Sequence, residues 1–489
     1  MTIFRGTVLD TPGDEVIGAV RLRAQPDAAL LVEGGRVTAR GAFADIVAAL
    51  PPGGHHEVVD LREGLVLPGL VDAHVHYPQV RVLGALGMPL LQWLEECALP
   101  EEARLESVDY ARVVAAEFVH GLVSSGTTTA LVFGSHFAGA VDAFFEAAAT
   151  AGVRVAAGLV ASDRALPRAL LTTPDRYYEE SLHLARRWHR TGLARYAVTP
   201  RFSYSASDPL LAACSSVLTD VDGALFTSHV NESNAEVAAV AALFRTADNY
   251  VDTYDRHGLV GPRTVLAHNV HTTTPELTLL SARGAAVAHC PSSNAALGSG
   301  LFPLRRHVEH GVRVALGSDV GAGTGFSLFK ECLHAYLTQR LLGTEGLPLT
   351  APDLLHLATR SGAQALGLGG EVGDLGVGKQ FDAVWVRPRR GEPLDVGLRH
   401  AASAEDALGR ALTLTTPGDL GGVWVGGEQV SVACPSPRAS PETRPPPRPA
   451  RVTAGGAHVG GVYRPSMAVQ PPSTNSWVPV TNDDASDAR

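Results

Sequence analysis

The chain has 489 residues, more than one ordinary domain needs, so a large domain with a smaller addition is expected. Hydrophobic residues make up 45% of the sequence, which is ample for a large core, and no apolar run reaches the roughly 18 residues of a membrane span. The formal net charge of −10 argues against a nucleic-acid partner, because phosphate binding needs a basic face.

The N-terminus and the cysteines predict a cytoplasmic protein. The opening sequence MTIFRGTVLDTPG lacks the layout of a signal peptide. The cysteines are scattered and odd in number, which does not suit a disulfide framework: Cys97, Cys214, Cys290, Cys332 and Cys434.

Short strand-like runs occur at both ends of the chain. Within residues 1–66 they are TIFRGTVLD, AALLVEGGRVTA and HEVVDL, and similar runs return as KQFDAVWVRP and GGVWVGGEQVSVA. Each run is too short to fold by itself. We therefore predict one small β-sandwich that is built from residues 1–66 and 378–433.

An apolar run, GLVLPGLVDAHVHYPQ, ends in His74-Val75-His76. A strand alternates faces with period two, so both imidazoles point the same way and provide half of a divalent metal site. The alternative is two polar side chains that face solvent. Chance matches are common in a chain with 19 histidines, so further ligands have to be found.

Between residues 67 and 377, apolar runs alternate with stretches of helical spacing such as SVDYARVVAAEFVHGLVSSG. Eight such repeats predict an α/β fold, a parallel (β/α)8 TIM-like barrel. Strands two, three, four and seven are assigned to residues 127–134, 153–162, 194–202 and 284–292. Strands one, five, six and eight then end near His76, His229, His268 and Asp319, at the edge where functional residues of this fold lie.

The composition changes after Cys434, since 11 of the chain's 32 prolines lie in residues 435–489. This segment lacks the apolar content to fold, and we predict a disordered tail over residues 434–489. Its RPPPRP sequence suits either a solvated linker or a polyproline ligand.

Several motifs occur in order along residues 60–433: PGLVDAHVHYPQ, LLQWLEECALPEEARL, GTTTALVFG, TPRFS, SHVNESNAEV, LAHNVH, CPSSNAALGSGLF and LGSDVGAGTGFSLF. With them the chain resembles the metal-dependent amidohydrolase superfamily, and in detail its guanine deaminase branch. The resemblance implies hydrolytic deamination of guanine to xanthine and ammonia in purine catabolism, by a homodimer. Asn269 stands where the family commonly has a cysteine, a position that is not a ligand.

The resemblance implies that one zinc ion is held by four residues: His74, His76, His229 and Asp319. Three imidazoles and a carboxylate leave an open position for water, as a hydrolytic zinc requires, and iron(II) is the alternative metal. A closed structural zinc site would favour clustered cysteines. No lysine lies between His76 and His229, which excludes a site in which a lysine bridges two metals.

Catalytic roles follow from the same resemblance. Glu232 is expected to carry a proton from water to a ring nitrogen, while His268 orients the water or stabilises the oxyanion. Asp319 is expected to be both ligand and proton acceptor. For Glu232 the alternative is an ordinary surface glutamate. His271 is expected to have a structural or supporting role.

Guanine presents O6 and N7 as adjacent acceptors, which a guanidinium fork matches. Arg201 is therefore the predicted fork, although many arginines simply face solvent. Phe202 is expected to supply an apolar or stacking contact and Gln79 to hydrogen-bond the ring. His229 and Glu232 complete the predicted substrate site. The expected partner is thus a small purine, with neither nucleic acid nor membrane.

Two other functions stay open. One is an amidohydrolase that acts on another amino- or halo-heterocycle, such as 8-oxoguanine or a triazine. The other is a non-catalytic relative that works through protein assembly. Such a relative is expected to have lost metal ligands, whereas this chain carries the full set.

Overall fold

The computed structural model describes residues 1–51 and 56–431. The predicted disordered tail over residues 434–489 lies outside the described residues, and the predicted domain boundaries stay a prediction. The (β/α)8 barrel and the sheet built from both chain ends are confirmed. Among the described helices, none combines the length and apolar character that crossing a bilayer requires.

The strands at the two chain ends join in one sheet, with the order β16-β15-β14-β4-β1-β2-β3. The sheet folds back on itself, because Phe4 of its first strand stacks on Phe381 and contacts Trp424 edge-on, with ring centroids 4.1 and 5.5 Å apart. Its strands are Thr2–Asp10 (β1), Arg23–Glu33 (β2), Arg36–Ala42 (β3), Glu57–Pro68 (β4), Ala383–Val386 (β14), Leu420–Val425 (β15) and Glu428–Gln429 (β16).

The remaining strands form the parallel barrel, with the order β13-β12-β11-β10-β9-β7-β6-β5 and the short β8 beside β9. Backbone hydrogen bonds from His76 to Val320 (2.8 Å) and from Asp319 to His74 (2.9 Å) join its first and last members. The strands are Leu70–His76 (β5), Thr127–Phe133 (β6), Arg154–Gly158 (β7), Val160–Ala161 (β8), Ala194–Pro200 (β9), Leu225–Val230 (β10), Thr264–His268 (β11), Ala286–His289 (β12) and Arg313–Leu316 (β13).

The helices pack mainly around the barrel. They are Phe43–Ala49 (α1), Leu90–Trp93 (α2), Leu99–Ala103 (α3), Val108–Ser124 (α4), Ala138–Ala151 (α5), Pro174–Trp188 (α6), Asp208–Asp220 (α7), Asn234–Leu243 (α8), Asp252–Asp255 (α9), Thr274–Arg283 (α10), Pro291–Ala296 (α11), Leu304–Glu309 (α12), Leu328–Leu341 (α13), Ala351–Ala358 (α14), Arg360–Ala365 (α15), Pro393–Arg399 (α16) and Ala404–Leu414 (α17). A π-helical turn, Leu94–Ala98, joins α2 to α3.

Alanines line much of the inside of the barrel together with larger residues such as Leu131 and Leu225, and a second apolar layer packs against the helices. The inner cluster includes Ala73, Ala156, Ala197, Ala286, Ala288 and Ala315. Val75 and Val287, which alternate with inner residues on their strands, belong to the outer layer instead. Because both faces of each strand are buried, these strands are continuous apolar runs in the sequence. Buried histidines lie toward the carboxyl ends of several strands: His74 and His76 on β5, His229 on β10, His268 on β11 and His289 on β12.

A buried ion pair joins the barrel to the terminal sheet. Arg154, the first residue of β7, and Asp382, just before β14, are both almost fully buried, with Nη2 3.3 Å from Oδ2. Asp382 also accepts a hydrogen bond from Gly426 N (2.7 Å), and Arg154 Nη2 donates to Gln380 Oε1 (2.7 Å). Burial raises the pKa of Asp382, while Arg154 acts in the opposite direction.

Replacement of Arg154 by Met is expected to lower the free energy of unfolding by about 3–5 kcal/mol at pH 7, because it leaves a buried carboxylate unpaired. The double variant Arg154→Met/Asp382→Asn is expected to lose clearly less. Chemical denaturation measures both. The exposed pair of Arg112 and Asp109 provides a control, since Arg112→Met removes a pair worth about 0–1 kcal/mol. Equal losses in the single and control variants would contradict a role at this junction.

Candidate functional site

Three imidazoles and one carboxylate converge at the carboxyl ends of the barrel strands. His76 Nε2 lies 3.1 Å from Nε2 of His74 and 3.1 Å from Nε2 of His229. Asp319 Oδ1 lies 3.3 Å from Nε2 of both His74 and His76. All four side chains are buried. Such a convergence of nitrogen and oxygen atoms has the donor chemistry of a transition-metal site.

The protonation of these side chains fits a bound cation. His229 Nδ1 lies 2.6 Å from the carbonyl oxygen of Arg201, which can only accept, so Nδ1 carries the proton and the Nε2 lone pair faces its neighbours. Burial lowers the pKa of His74 and His229, and it lowers the pKa of His76 to about 4. Burial alone would raise the pKa of Asp319, but His74 and His76 outweigh it and keep the carboxylate ionised.

His268 and Glu232 lie on the open side of this cluster. His268 Nε2 is 3.5 Å from Glu232 Oε2 and 3.8 Å from Asp319 Oδ2. His268 Nδ1 is 3.0 Å from the amide oxygen of Asn294, and Nε2 of the same ring faces the two acids. Burial first, and then the charges of Glu236 and Asp319, raise the pKa of Glu232 well above its usual range. A carboxyl whose pKa is raised in this way, next to side chains that could hold a metal ion, is suited to proton transfer.

A narrow cavity opens onto this cluster. Of the nine predicted site residues, His74 alone does not line it. Apolar side chains form its cover and walls. The lining residues are His76, Gln79, Leu90, Trp93, Leu94, Arg201, Phe202, His229, Glu232, His268, Leu297, Asp319 and Ala322. His271 lies outside it and hydrogen-bonds the Ser299 carbonyl oxygen through Nε2 at 2.8 Å.

Two buried acids of this region were not singled out by the sequence. Asp72 lies two residues before His74, accepts hydrogen bonds from His74 N (3.2 Å) and Ser318 N (3.0 Å), and so ties the first strand to the residue before Asp319. Burial raises its pKa to about 7. Glu102, on α3, contacts Arg201 and Gln79. The DAHVH spacing offered a signal for Asp72, whereas nothing in PEE distinguishes a buried Glu102 from an exposed one.

The strand ends that carry the site make sharp turns. Four residues without the freedom of glycine have positive φ: Asn231 (49°), His268 (72°), Asn269 (48°) and Asp319 (49°). Conformations of this kind cost free energy and cluster at functional sites, where the surroundings impose them. Two of the four are the asparagines that directly precede Glu232 and follow His268.

The side chains of these two asparagines hydrogen-bond each other. Asn231 Nδ2 donates to Asn269 Oδ1 and to Glu276 Oε1, each at 3.0 Å. Asn269 Nδ2 lies 2.9 Å from His307 Nε2. Glu276 is also the acid of the capping box that begins α10. Asn269 is therefore no ligand, as the sequence indicates, but it connects the ends of strands five and six beneath Glu232 and His268.

Replacement of Asn269 by Ala is expected to cost about 1–3 kcal/mol in the free energy of unfolding, because Asn231 and His307 lose buried hydrogen-bond partners. Urea denaturation gives this value. Asn249→Ala serves as the matched control, since that partly exposed amide accepts a single backbone hydrogen bond, from Asp252 N (3.0 Å), and a smaller loss is expected. An Asn269 variant as stable as the wild type would contradict the role of this pair.

Comparisons with known proteins agree with this geometry. The model of the Amidohydrolase family matches residues 65–430. A protein of Deinococcus radiodurans described as a probable guanine deaminase is 56% identical over 432 residues, 87% of this chain and 98% of the relative. The structure of Escherichia coli guanine deaminase superimposes with a TM-score of 0.84 at 36% identity, and the match covers 88% of this chain and all of that one.

A second solved structure adds information on a ligand. Guanine deaminase of C. acetobutylicum, with guanine bound in its active site, matches with a TM-score of 0.80 at 26% identity. The match covers 88% of this chain and 100% of that chain.

Proposed function

The chain belongs to the amidohydrolase family and, within it, to the guanine deaminases, and we propose that it hydrolyses guanine to xanthine and ammonia. The observation that carries this function is one cavity whose lining joins His76, His229 and Asp319 of the three-histidine, one-aspartate cluster to the buried side chains of Glu232 and Arg201. Hydrolysis replaces the C2 amino group by oxygen, so one water is consumed and one ammonia leaves.

We propose zinc as the metal, with His74, His76, His229 and Asp319 as its ligands and iron(II) as the alternative. Three neutral imidazoles and one carboxylate suit either ion and leave a position for water. When bound, the metal supplies Lewis acidity that makes water nucleophilic near neutral pH.

The side chains around this position then direct the protons. We propose that Asp319 accepts a proton from the attacking water and that Glu232 delivers one to the ring nitrogen beside C2. As the bond from C2 to the amino group breaks, the proton on Asp319 passes to that group, which leaves as ammonia, and the hydroxyl proton on the new C2 oxygen returns to Glu232. His268, with its Nε2 toward both acids, orients the water and stabilises the oxygen that becomes negative. The apolar cover, which includes Trp93, excludes bulk water and so strengthens these interactions.

Recognition of the substrate is assigned to Arg201, Gln79 and Phe202, which line the same cavity. Arg201 matches the O6 and N7 edge of guanine as a planar donor, and Gln79 offers an amide. Phe202 supplies an apolar surface beside them. We further propose, from the resemblance, a homodimer in the cytoplasm.

Purified protein is expected to convert guanine to xanthine and ammonia. The variant Glu232→Gln is expected to keep its metal but to lose about 100- to 10,000-fold in kcat, because the residue that carries the proton is gone. Ammonia release and metal analysis measure the two effects. Glu309→Gln, at an exposed glutamate of α12, is the control and is expected to turn over guanine normally.

Retained turnover in Glu232→Gln would contradict the role of Glu232. A wild-type protein that does not convert guanine but converts 8-oxoguanine or a triazine would instead contradict the assignment of guanine as the substrate. Adenine and cytosine, assayed in parallel, are expected to stay unchanged, since neither presents the O6 and N7 edge that Arg201 matches.

A further inference from the structure

Glu102 is a buried carboxylate at the substrate cavity that the proposed reaction does not use. Its side chain is 3% exposed. Both of its oxygens accept hydrogen bonds from Arg201 Nη1, at 2.8 and 2.6 Å, and Oε1 also accepts from Gln79 Nε2 at 2.7 Å. The two side chains assigned to purine recognition therefore share one acceptor.

Neighbouring side chains stabilise the negative charge of the buried Glu102 carboxylate. Burial by itself raises the pKa of Glu102, but Arg201, then His136 and Gln79, outweigh burial and keep that pKa well below its usual range. His136 Nδ1 lies 3.4 Å from Oε2 of the same carboxylate. A removed partner would leave a buried charge uncompensated, so the group is a fixed, ionised anchor.

This anchor determines which atoms of the recognition pair face the cavity. Among the described residues, the side-chain hydrogen bonds of Arg201 all leave from Nη1, so Nη2 and Nε form the edge that is left for a ligand. Gln79 Oε1 accepts from Gly321 N at 3.2 Å while its Nε2 donates to Glu102, which fixes the amide against a flip. Both side chains are thereby preorganised.

Glu102 lies on the same helical segment as three apolar residues of the cavity lining. The continuous helical segment from α2 through the π-helical turn to α3, residues 90–103, carries Leu90, Trp93 and Leu94 of the cavity lining as well as Glu102. The position of the cover and the orientation of Arg201 are thus connected through one ion pair, with Nη1 2.6 Å from Oε2.

We propose that Glu102 is a positioning residue that presents Arg201 and Gln79 to the O6 and N7 edge of the purine, and that it thereby sets the preference for 6-oxopurines. This inference rests on the proposed function. A carboxylate that orients a donor pair acts on substrates that carry O6, and it has little effect on an analogue without it.

The test compares guanine with 2-aminopurine, which keeps the C2 amino group and N7 but lacks O6. The Glu102→Gln enzyme, loaded with zinc, is expected to lose about 10- to 100-fold in kcat/KM for guanine, the effect of one weakened charge-assisted contact. The inhibition constant of 2-aminopurine is expected to change less than about 3-fold. A loss of folding lowers kcat/KM per total chain but leaves an inhibition constant unchanged, so kcat/KM is referred to the folded, zinc-loaded chain. The ratio of the two constants on that basis is the deciding quantity.

Glu101→Gln is the matched control, because Glu101 is the adjacent buried acid of α3 and hydrogen-bonds Tyr110 and Arg104 instead. Its ratio is expected to equal that of the wild type. If Glu102→Gln does not fold, Glu102→Asp replaces it. This variant keeps the negative charge but moves it away from Arg201 by the length of one methylene, and a smaller change of the ratio in the same direction is expected.

Equal losses for guanine and 2-aminopurine, or an unchanged ratio, in a folded Glu102 variant would overturn the inference. Wild-type protein that fails to convert guanine would overturn the proposed function itself. The two failures are distinguishable, since the first requires an active wild-type enzyme.

Discussion

The convergence of lone pairs at the mouth of the barrel is the constraint on which the rest of the site depends. Nε2 atoms of His74, His76 and His229 lie 3.1 Å from their neighbours, and the His229 tautomer directs an unprotonated nitrogen into the cluster. Without a cation, such lone pairs repel one another in surroundings that contain little water. A bound metal ion turns the same geometry into a favourable one, and binding free energy then also stabilises the fold.

A layer of buried polar groups holds the cluster in place. Asp72 connects the first strand to the chain after the last one, and the Asn231–Asn269 pair connects strands five and six. The carbonyl of Arg201 orients His229, while the guanidinium of the same residue is anchored by Glu102. The histidine cluster and the cavity lining thus share Arg201 at the end of strand four, since its carbonyl orients a cluster histidine and the residue also lines the cavity.

Much of this arrangement was predictable from local sequence patterns. The strand runs and the helix assigned to residues 107–126 agree with β5–β13 and with α4, Val108–Ser124, because period and apolar content reflect burial directly. The positions of His74, His76, His229, His268 and Asp319 followed from the rule that functional residues end barrel strands. Glu102, Arg154 and the asparagine pair did not follow, because their partners are distant in sequence and burial of a charged residue is a tertiary property.

The measurement that tests the account most directly is a titration of metal-free protein with zinc, in which guanine conversion to xanthine and thermal stability are followed together. Activity is expected to rise in proportion to zinc and to reach its plateau at one ion per chain, with a higher melting temperature at the same point. Activity that survives chelation, or a plateau at two ions, would contradict a single metal held by His74, His76, His229 and Asp319.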